Sequence, residues 1–372
     1  MSVWIDVAGL SHERIVFSPS PLAELVSALH ALTEPGHHPG LHGWTTATTA
    51  SLKADLADRL HEADFLWGPT FSDIFLPFAA LPDVAGQPGA TVTEDLDMLD
   101  RLDDETYVTA ALVFSCASHY GKGGPSPLVD EGVRRLALER ADARGPRQAA
   151  FARRLIADPP TIRTWIRRLI EDCEEAFFAD LWQRLRVQLA ADARHKTEIL
   201  RRKGLAEALA ELSPAVSLDE ERSRIVVDKL VQGSTTAVDP AVGVGLSLVP
   251  SSYGWPHLMV LYDRGWRPVI HYPVGAPELS NPASVTLLED RLNALSHPMR
   301  IRICRNLART AYTTGELAIE HGITAPEVSR HLAILKKAGL IQTRRRGRYV
   351  LHQLNLQVVA RLGSDFLESV LR

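Results

Sequence analysis

The sequence predicts an α+β fold: a mostly helical N-terminal domain with a small antiparallel sheet, followed by a C-terminal winged helix-turn-helix. Three observations carry this reading. Apolar residues recur at three- and four-residue steps over 131–212, the helical period. From about residue 222 the period drops to two, in "RSRIVVDKLV", "GVGLSLVPS", "HLMVLYD" and "RPVIHYPV", pieces separated by Gly, Pro and Asp. Finally, residues 313–354 run helix, "HGIT", helix, strand, basic turn, strand, the order of a helix-turn-helix with its wing.

The expected organisation is 1–215 as a mainly helical domain, 216–283 as a small β-rich segment packing on it plus a linker, and 284–372 as the winged head. The 372 residues suit two or three domains. No apolar run reaches the ~18–20 residues of a membrane span, and "MSVWIDVAGL" lacks the basic head and apolar stretch of a signal peptide. Cys116, Cys173 and Cys304 lie far apart, which gives neither a disulfide framework nor metal-ligand spacing. A cytoplasmic home with no membrane partner is expected. The net charge of −4 conceals an asymmetry. Residues 1–130 hold 5 Lys+Arg against 18 Asp+Glu, whereas 287–372 hold 14 against 7. A polyanion partner is therefore expected for the tail only.

Along the front, "WIDVAGL" reads as a strand. "SPSPLAELVSALHAL" reads as a helix with Ser20 as N-cap and Pro21 in its first turn. "TEPGHHPGLHG" reads as a polar loop. His37 and His38 sit in it with His42 nearby, but no paired carboxylate or Cys joins them, and no metal site is assigned. "TATTASLKADLADRLHEADFL" reads as one helix. "GPTFSDIFLPFAALPDVAGQPGA" reads as irregular, and the next helix is expected to take Thr93 as its cap. "SHYGKGGPSP" lacks the G-x-x-x-x-G-K-[ST] spacing of a phosphate loop and reads as flexible. "DPPT" at 158–161 breaks the long helical run, and "APELSNPAS" (276–284) reads as the linker.

In the tail, Leu287, Leu288, Leu292 and Leu295 form one helical stripe. Pro298 opens a second helix whose apolar side is Ile301, Ile303, Cys304 and Leu307. A third helix is capped by Thr313 or Thr314 and ends at Gly322. The fourth starts from Thr324, with Glu327 completing an S/T-x-x-E capping box. Val328, Leu332 and Leu335 face inward, leaving Thr324, Ala325, Glu327, Ser329, Arg330 and His331 outward. Short polar and basic side chains on that face suit base edges and phosphates in a major groove. Arg330 suits guanine or a phosphate, Glu327 either accepts from cytosine or, as the preferred role, serves the cap, and His331 is either a DNA contact or a structural hydrogen-bonder. Arg344, Arg345, Arg346 and Arg348 in the wing supply backbone attraction that is largely blind to sequence. The last helix, "NLQVVARLGSDFLESVLR", carries Leu356, Val359, Leu362, Phe366, Leu367 and Val370 on an apolar side.

"LEDRLNALSHPMRIRICRNLA", "GELAIEHGITAPEVSRHLAILKKAGLI" and "RRRGRYVLHQLN" resemble the ArsR-type winged helix-turn-helix repressors over residues ~287–355. The front, especially "FSPSPLAELVSALHAL" and "LVPSSYGWPHLMVLYDRGWRPVIHYPV", resembles an uncharacterised actinobacterial domain that precedes ArsR-type heads. The first resemblance implies a homodimer built through the first and last helices of the head. It also implies a palindromic double-stranded operator and release by a small-molecule effector. Metal-sensing members carry C-x-C-[DE]-L at the start of the third helix. Thr313, Thr314, Gly315, Glu316 and Leu317 stand there instead, and the last helix has no histidine. Sensing of zinc or arsenite through those sites is not expected.

The expected function is a sequence-specific DNA-binding transcriptional regulator, a homodimeric repressor whose N-terminal domain senses a ligand or sets dimer geometry. The alternative is an enzyme or scaffold domain (1–283) fused to a regulatory head. No G-x-S-x-G, H-E-x-x-H or G-x-G-x-x-G occurs, and Ser115, Cys116, Ser118 and His119 are close only in sequence. No catalytic residues and no cofactor are assigned.

Overall fold

A computed structural model describes residues 2–68, 71–113, 124–229, 231–274, 284–308, 310–346 and 349–371. It divides into two compact units, Met1–Ser280 and Asn281–Leu371. The "FSCASHY" group and most of the expected linker and glycine-rich loop lie outside the described residues.

The first unit opens with strands β1 (Ser2–Asp6) and β2 (Ile15–Phe17) and helix α1 (Pro21–Thr33). The Ser20 hydroxyl accepts from the Ala23 amide, as its N-cap position predicts. Residues 21–29 of α1 are all buried, so this helix sits inside the unit rather than on its surface. The single helix expected over 46–66 is in fact two, α2 (His42–Ser51) and α3 (Ala54–Ala63). Leu52 and Lys53 between them take extended backbone, and Leu52 packs against the core. The proline-rich stretch that follows is built of 3-10 turns. It is far from a surface loop: Ile74, Phe75 and Phe78 are fully buried. Helix α4 (Val92–Asp100) is capped by Thr91, not Thr93, and α5 (Asp104–Ala111) by Asp103. In each case the cap side chain accepts an amide N–H from the first turn.

Helices α6 (Glu131–Arg144), α7 (Pro146–Ala157), α8 (Pro159–Cys173), α9 (Ala179–Lys203) and α10 (Leu205–Ala210) follow. "DPPT" breaks the run by capping: Asp158 accepts from Thr161 while Pro159 and Pro160 occupy the first turn. A single π turn, Glu174–Phe178, joins α8 to α9. Helices α6 to α9, α1 and the 3-10 segment share one apolar core that includes Leu25, Trp67, Phe75, Leu169 and Phe178, whereas Ala208 and Leu209 of α10 belong to a second core with Ile225 and Leu248.

The later strands are β3 (Val216–Asp219), β4 (Arg224–Asp228), β5 (Gly233–Thr236), β6 (Leu246–Ser251), β7 (Met259–Leu261) and β8 (Val269–Pro273). The expected single small antiparallel sheet is replaced by two four-stranded mixed sheets, ordered β3-β4-β1-β5 and β2-β6-β8-β7. The pairs β1/β5, β2/β6 and β6/β8 are parallel. All six residues of β6 are buried, the pattern of a strand covered on both faces, where parallel pairing is favoured. Each sheet also recruits a strand from the first seventeen residues, so the β-rich segment is woven into the same unit as the helices.

The second unit comprises α11 (Val285–Leu295), α12 (Pro298–Leu307), α13 (Thr314–His321), α14 (Ala325–Lys337), β9 (Ile341–Arg346), β10 (Tyr349–Leu354) and α15 (Leu356–Leu371). Its core holds Ile303, Leu307, Leu317, Val328, Leu332, Leu335 and Leu340. Ile301 departs from the expected apolar side of α12 and is 43% exposed.

Candidate nucleic-acid interface

The turn between α13 and α14 is set by short-range chemistry. Thr313 and Glu316 form a capping box at the start of α13. Gly322 ends that helix in the left-handed region (φ 63), which glycine adopts without a Cβ penalty. Its amide bonds to the Ile319 carbonyl, and the Ile323 amide bonds to the Ala318 carbonyl. Thr324 then starts α14 with a second box. Glu327 accepts from the Thr324 amide (2.9 Å) and hydroxyl (2.8 Å), and these bonds hold its carboxyl below the usual range. The Glu327 carboxylate is thereby committed to the helix start, which matches the role expected of it.

The inward residues of α14 are buried: Val328 0%, Leu332 4% and Leu335 0%. Thr324, Ala325, Ser329 and Arg330 are exposed on the other side, and Glu327 is half-exposed. Spacing of four residues stacks Ala325 under Ser329, so the exposed residues form a continuous strip along the first two turns. His331 is different. Its ring lies 5.0 Å from that of His297, the N-cap of α12, and burial lowers its pKa. Its Nδ1 is buried without a hydrogen-bond partner. The side chain is half-exposed and leans on His297, whereas Arg330 is exposed.

β9 and β10 form an antiparallel hairpin in which Arg344 faces Leu351, Arg345 faces Val350 and Arg346 pairs with Tyr349. Arg344 and Arg345 are exposed, and successive strand positions send them to opposite faces. Arg348 and Gly347 lie outside the described residues.

Some of the basic charge in this unit is structural. Arg300 is only 9% exposed and donates to the carbonyls of Asn293 (2.8 Å) and Ala294 at the end of α11. Arg291 on α11 pairs with the buried Asp365 on α15 at 2.7 Å. His352, which sequence reasoning left without a role, connects the wing to the motif. Its backbone pairs with Tyr312 in both directions, and its ring sits between Thr314 and Thr343. No short motif signals that pairing, since the partners are 40 residues apart.

A helix-turn-helix with a hairpin wing, capped at both helices and lined by exposed polar and basic side chains, is a DNA-binding regulator domain of the ArsR type. The chain belongs to the family of unknown function DUF5937, which it matches over residues 1–278, and it matches a helix-turn-helix domain over residues 295–344.

Among curated proteins, it is 34% identical over 71 residues to the biofilm growth-associated repressor of Agrobacterium fabrum, covering 19% of this chain and 61% of that one. It is 36% identical over 66 residues to the transcriptional repressor SdpR of Bacillus subtilis, covering 18% and 73%. The chain thus spans about three fifths of the length of the biofilm growth-associated repressors it matches. Among solved structures, a possible transcriptional regulator for arsenical resistance is 31% identical, covering 21% of this chain and 80% of that one, with a TM-score of 0.20. No described helix is long and apolar enough to cross a membrane.

Proposed function

We propose that the protein is a sequence-specific, homodimeric transcriptional repressor that binds a palindromic operator. In this reading Thr324, Ala325, Ser329 and Arg330 are the outward surface of the recognition helix, with Glu327 holding its start and His331 bracing it. Arg344, Arg345, Arg346 and Arg348 make the wing's phosphate contacts. The observation that carries the reading is the doubly capped α13–α14 pair with its exposed Ser329–Arg330 strip.

Dimerisation is supported by apolar side chains left exposed on the first and last helices of this unit. Leu292 is 45%, Leu356 57%, Phe366 45% and Val370 43% exposed. A second copy packed on these two helices would cover them. A sensory role for the first unit is supported by a cavity of about 310 Å³ beside α5 and α6, lined by Thr109, Leu112, Val133, Leu136 and Trp266. That volume is at the lower end for small-molecule sites.

The test is a salt series of binding to the DNA upstream of the protein's own gene, against scrambled DNA of equal length. The expected specificity ratio exceeds ~10³ at physiological salt. Arg330→Ala is expected to lower specific affinity roughly 10- to 100-fold while leaving scrambled DNA little changed. Arg344→Ala with Arg345→Ala is expected to weaken both and to flatten the salt slope by about two units. Equal binding of both DNAs by the wild type, together with genome-wide selection that enriches no sequence, would refute the proposal.

A further inference from the structure

Four histidine rings meet in the first unit, although the sequence separates them by up to 227 residues. His30 is in the last turn of α1, His37 closes the 3-10 turn Pro35–His37, His38 follows it, and His257 lies between β6 and β7. Ring centroids are 4.6 Å apart for His30 and His257, 5.7 Å for His30 and His37, and 5.3 Å for His37 and His257. His38 packs 5.1 Å from His30 and 5.3 Å from His257. Of the loop histidines, His37 and His38 join this group. His42 does not: it begins α2 and is exposed.

The nitrogens are arranged for more than packing. His30 Nδ1 lies 2.7 Å from the Trp67 carbonyl oxygen, which has only lone pairs to offer. Nδ1 must therefore carry the hydrogen, and Nε2 must present its lone pair. That lone pair accepts a hydrogen bond from His257 Nε2, 2.9 Å away, and an ion bound there would take the place of that hydrogen. Donation of the far ring N–H to a backbone carbonyl is how metal-binding histidines are oriented and made more basic. One nitrogen each from His30, His37 and His257 lies within 4.8 Å of the other two. A tetrahedral ion with nitrogens at ~2.0–2.1 Å spaces them about 3.3 Å apart, so the three half-buried rings would close in on it from separations of up to 4.8 Å. His37 Nδ1 has no hydrogen-bond partner. His38 is fully buried with neither ring nitrogen in a well-formed hydrogen bond, although the Trp255 backbone lies close enough to favour its protonation slightly. Unsatisfied buried imidazoles are costly unless something meets them.

We propose that His30, His37 and His257 form a binding site for a divalent transition metal, with His38 walling its buried side. Three neutral imidazoles without thiolate or carboxylate favour zinc, nickel, cobalt or copper over calcium or magnesium. Three protein ligands leave a coordination position for water or a small anion. This site belongs to the DUF5937 region and is independent of the DNA-binding reading. It also differs in place and ligand type from the thiol-containing pattern missing at Thr313–Leu317.

The experiment uses the full chain after chelator treatment. Cobalt(II) titration followed by visible absorption is the first readout, and zinc-dependent melting temperature the second. The expected result is one cobalt per chain with the d–d bands of a four- or five-coordinate nitrogen site, displaced by zinc, and a melting temperature that rises with zinc. His37→Ala, on a half-exposed turn, and His257→Ala are each expected to weaken binding at least ~10-fold with unchanged far-ultraviolet dichroism. His42→Ala is the control and should bind like the wild type. The assignment is overturned by an absence of cobalt bands up to millimolar metal, or by equal binding in His37→Ala, His257→Ala and their double variant.

Discussion

Glu24 is fully buried on the first turn of α1. Its Oε1 accepts the amides of Ser252 (3.0 Å) and Tyr253 (3.2 Å), while Oε2 has no well-formed hydrogen bond. Burial pushes its pKa from 4.5 up to about 7, and the neighbouring Ser251 hydroxyl and the two amides offset only part of that. The folded protein therefore keeps a proton that the unfolded chain releases above about pH 4.5. Stability from this group is complete below that pH and is lost as pH rises through about 7, a difference on the order of 3 kcal/mol. Glu24→Gln should remove this dependence. Melting of variant and wild type across pH 4.5–7.5 should show the variant gaining relative stability with pH, and parallel curves would refute the burial argument. Nothing in "PLAELV" announces a buried carboxyl, because the donor amides come from residues 228 and 229 positions away. The Thr324–Glu327 box, by contrast, was legible, because its geometry is confined to one helical turn.

At the scale of elements, the contact between α11 and α15 rests on Arg291, Arg361 and Asp365. Asp365 is 3% and Arg291 11% exposed at the side chain, and Arg361 reaches the same carboxylate at 3.5 Å. Removing one member leaves buried charge without compensation. Asp365→Ala is therefore expected to destabilise the second unit by roughly 3–5 kcal/mol. Hydrogen exchange of the α11 and α15 amides measures this directly, and unchanged protection would show that the pair contributes little. Helix starts were read well where a cap and its partner fall within four residues, as at Ser20, Asp158 and Thr324. The Thr91 cap is an exception even at that range: it lies three residues from Glu94, and two nearby threonines were available. The break at Leu52–Lys53 and the exposed Ile301 depend on which neighbour is present, and periodicity is silent about neighbours. Mixed pairing of the sheets was missed for the same reason, since period-two patterns do not state strand direction.

For the whole molecule, charge is segregated along the chain: 5 basic against 18 acidic residues in 1–130, 14 against 7 in 287–372. An acidic region on the same polypeptide repels DNA and weakens non-specific attraction to the basic head. Deleting 1–283 is accordingly expected to raise affinity for scrambled DNA at low salt, with the difference shrinking as salt screens it. Binding to scrambled DNA must be compared with truncations verified as dimers by sedimentation. A dimeric truncation that binds no more tightly would count against electrostatic tuning.

By itself the sequence determined the local grammar of the second unit: caps, turn glycine, the inward residues Val328, Leu332 and Leu335, and the strand–turn–strand wing. Each is a relation among residues a few positions apart, so backbone sterics and one-turn hydrogen bonds suffice to specify it. Only tertiary structure decided what the first unit brings together. β1 and β2 pair with strands more than 200 residues later, Glu24 meets the Ser252 and Tyr253 amides, and His30 and His37 meet His257. Those contacts form only when burial of a shared core outweighs the entropy of closing long loops. No short stretch of sequence records the result of that competition.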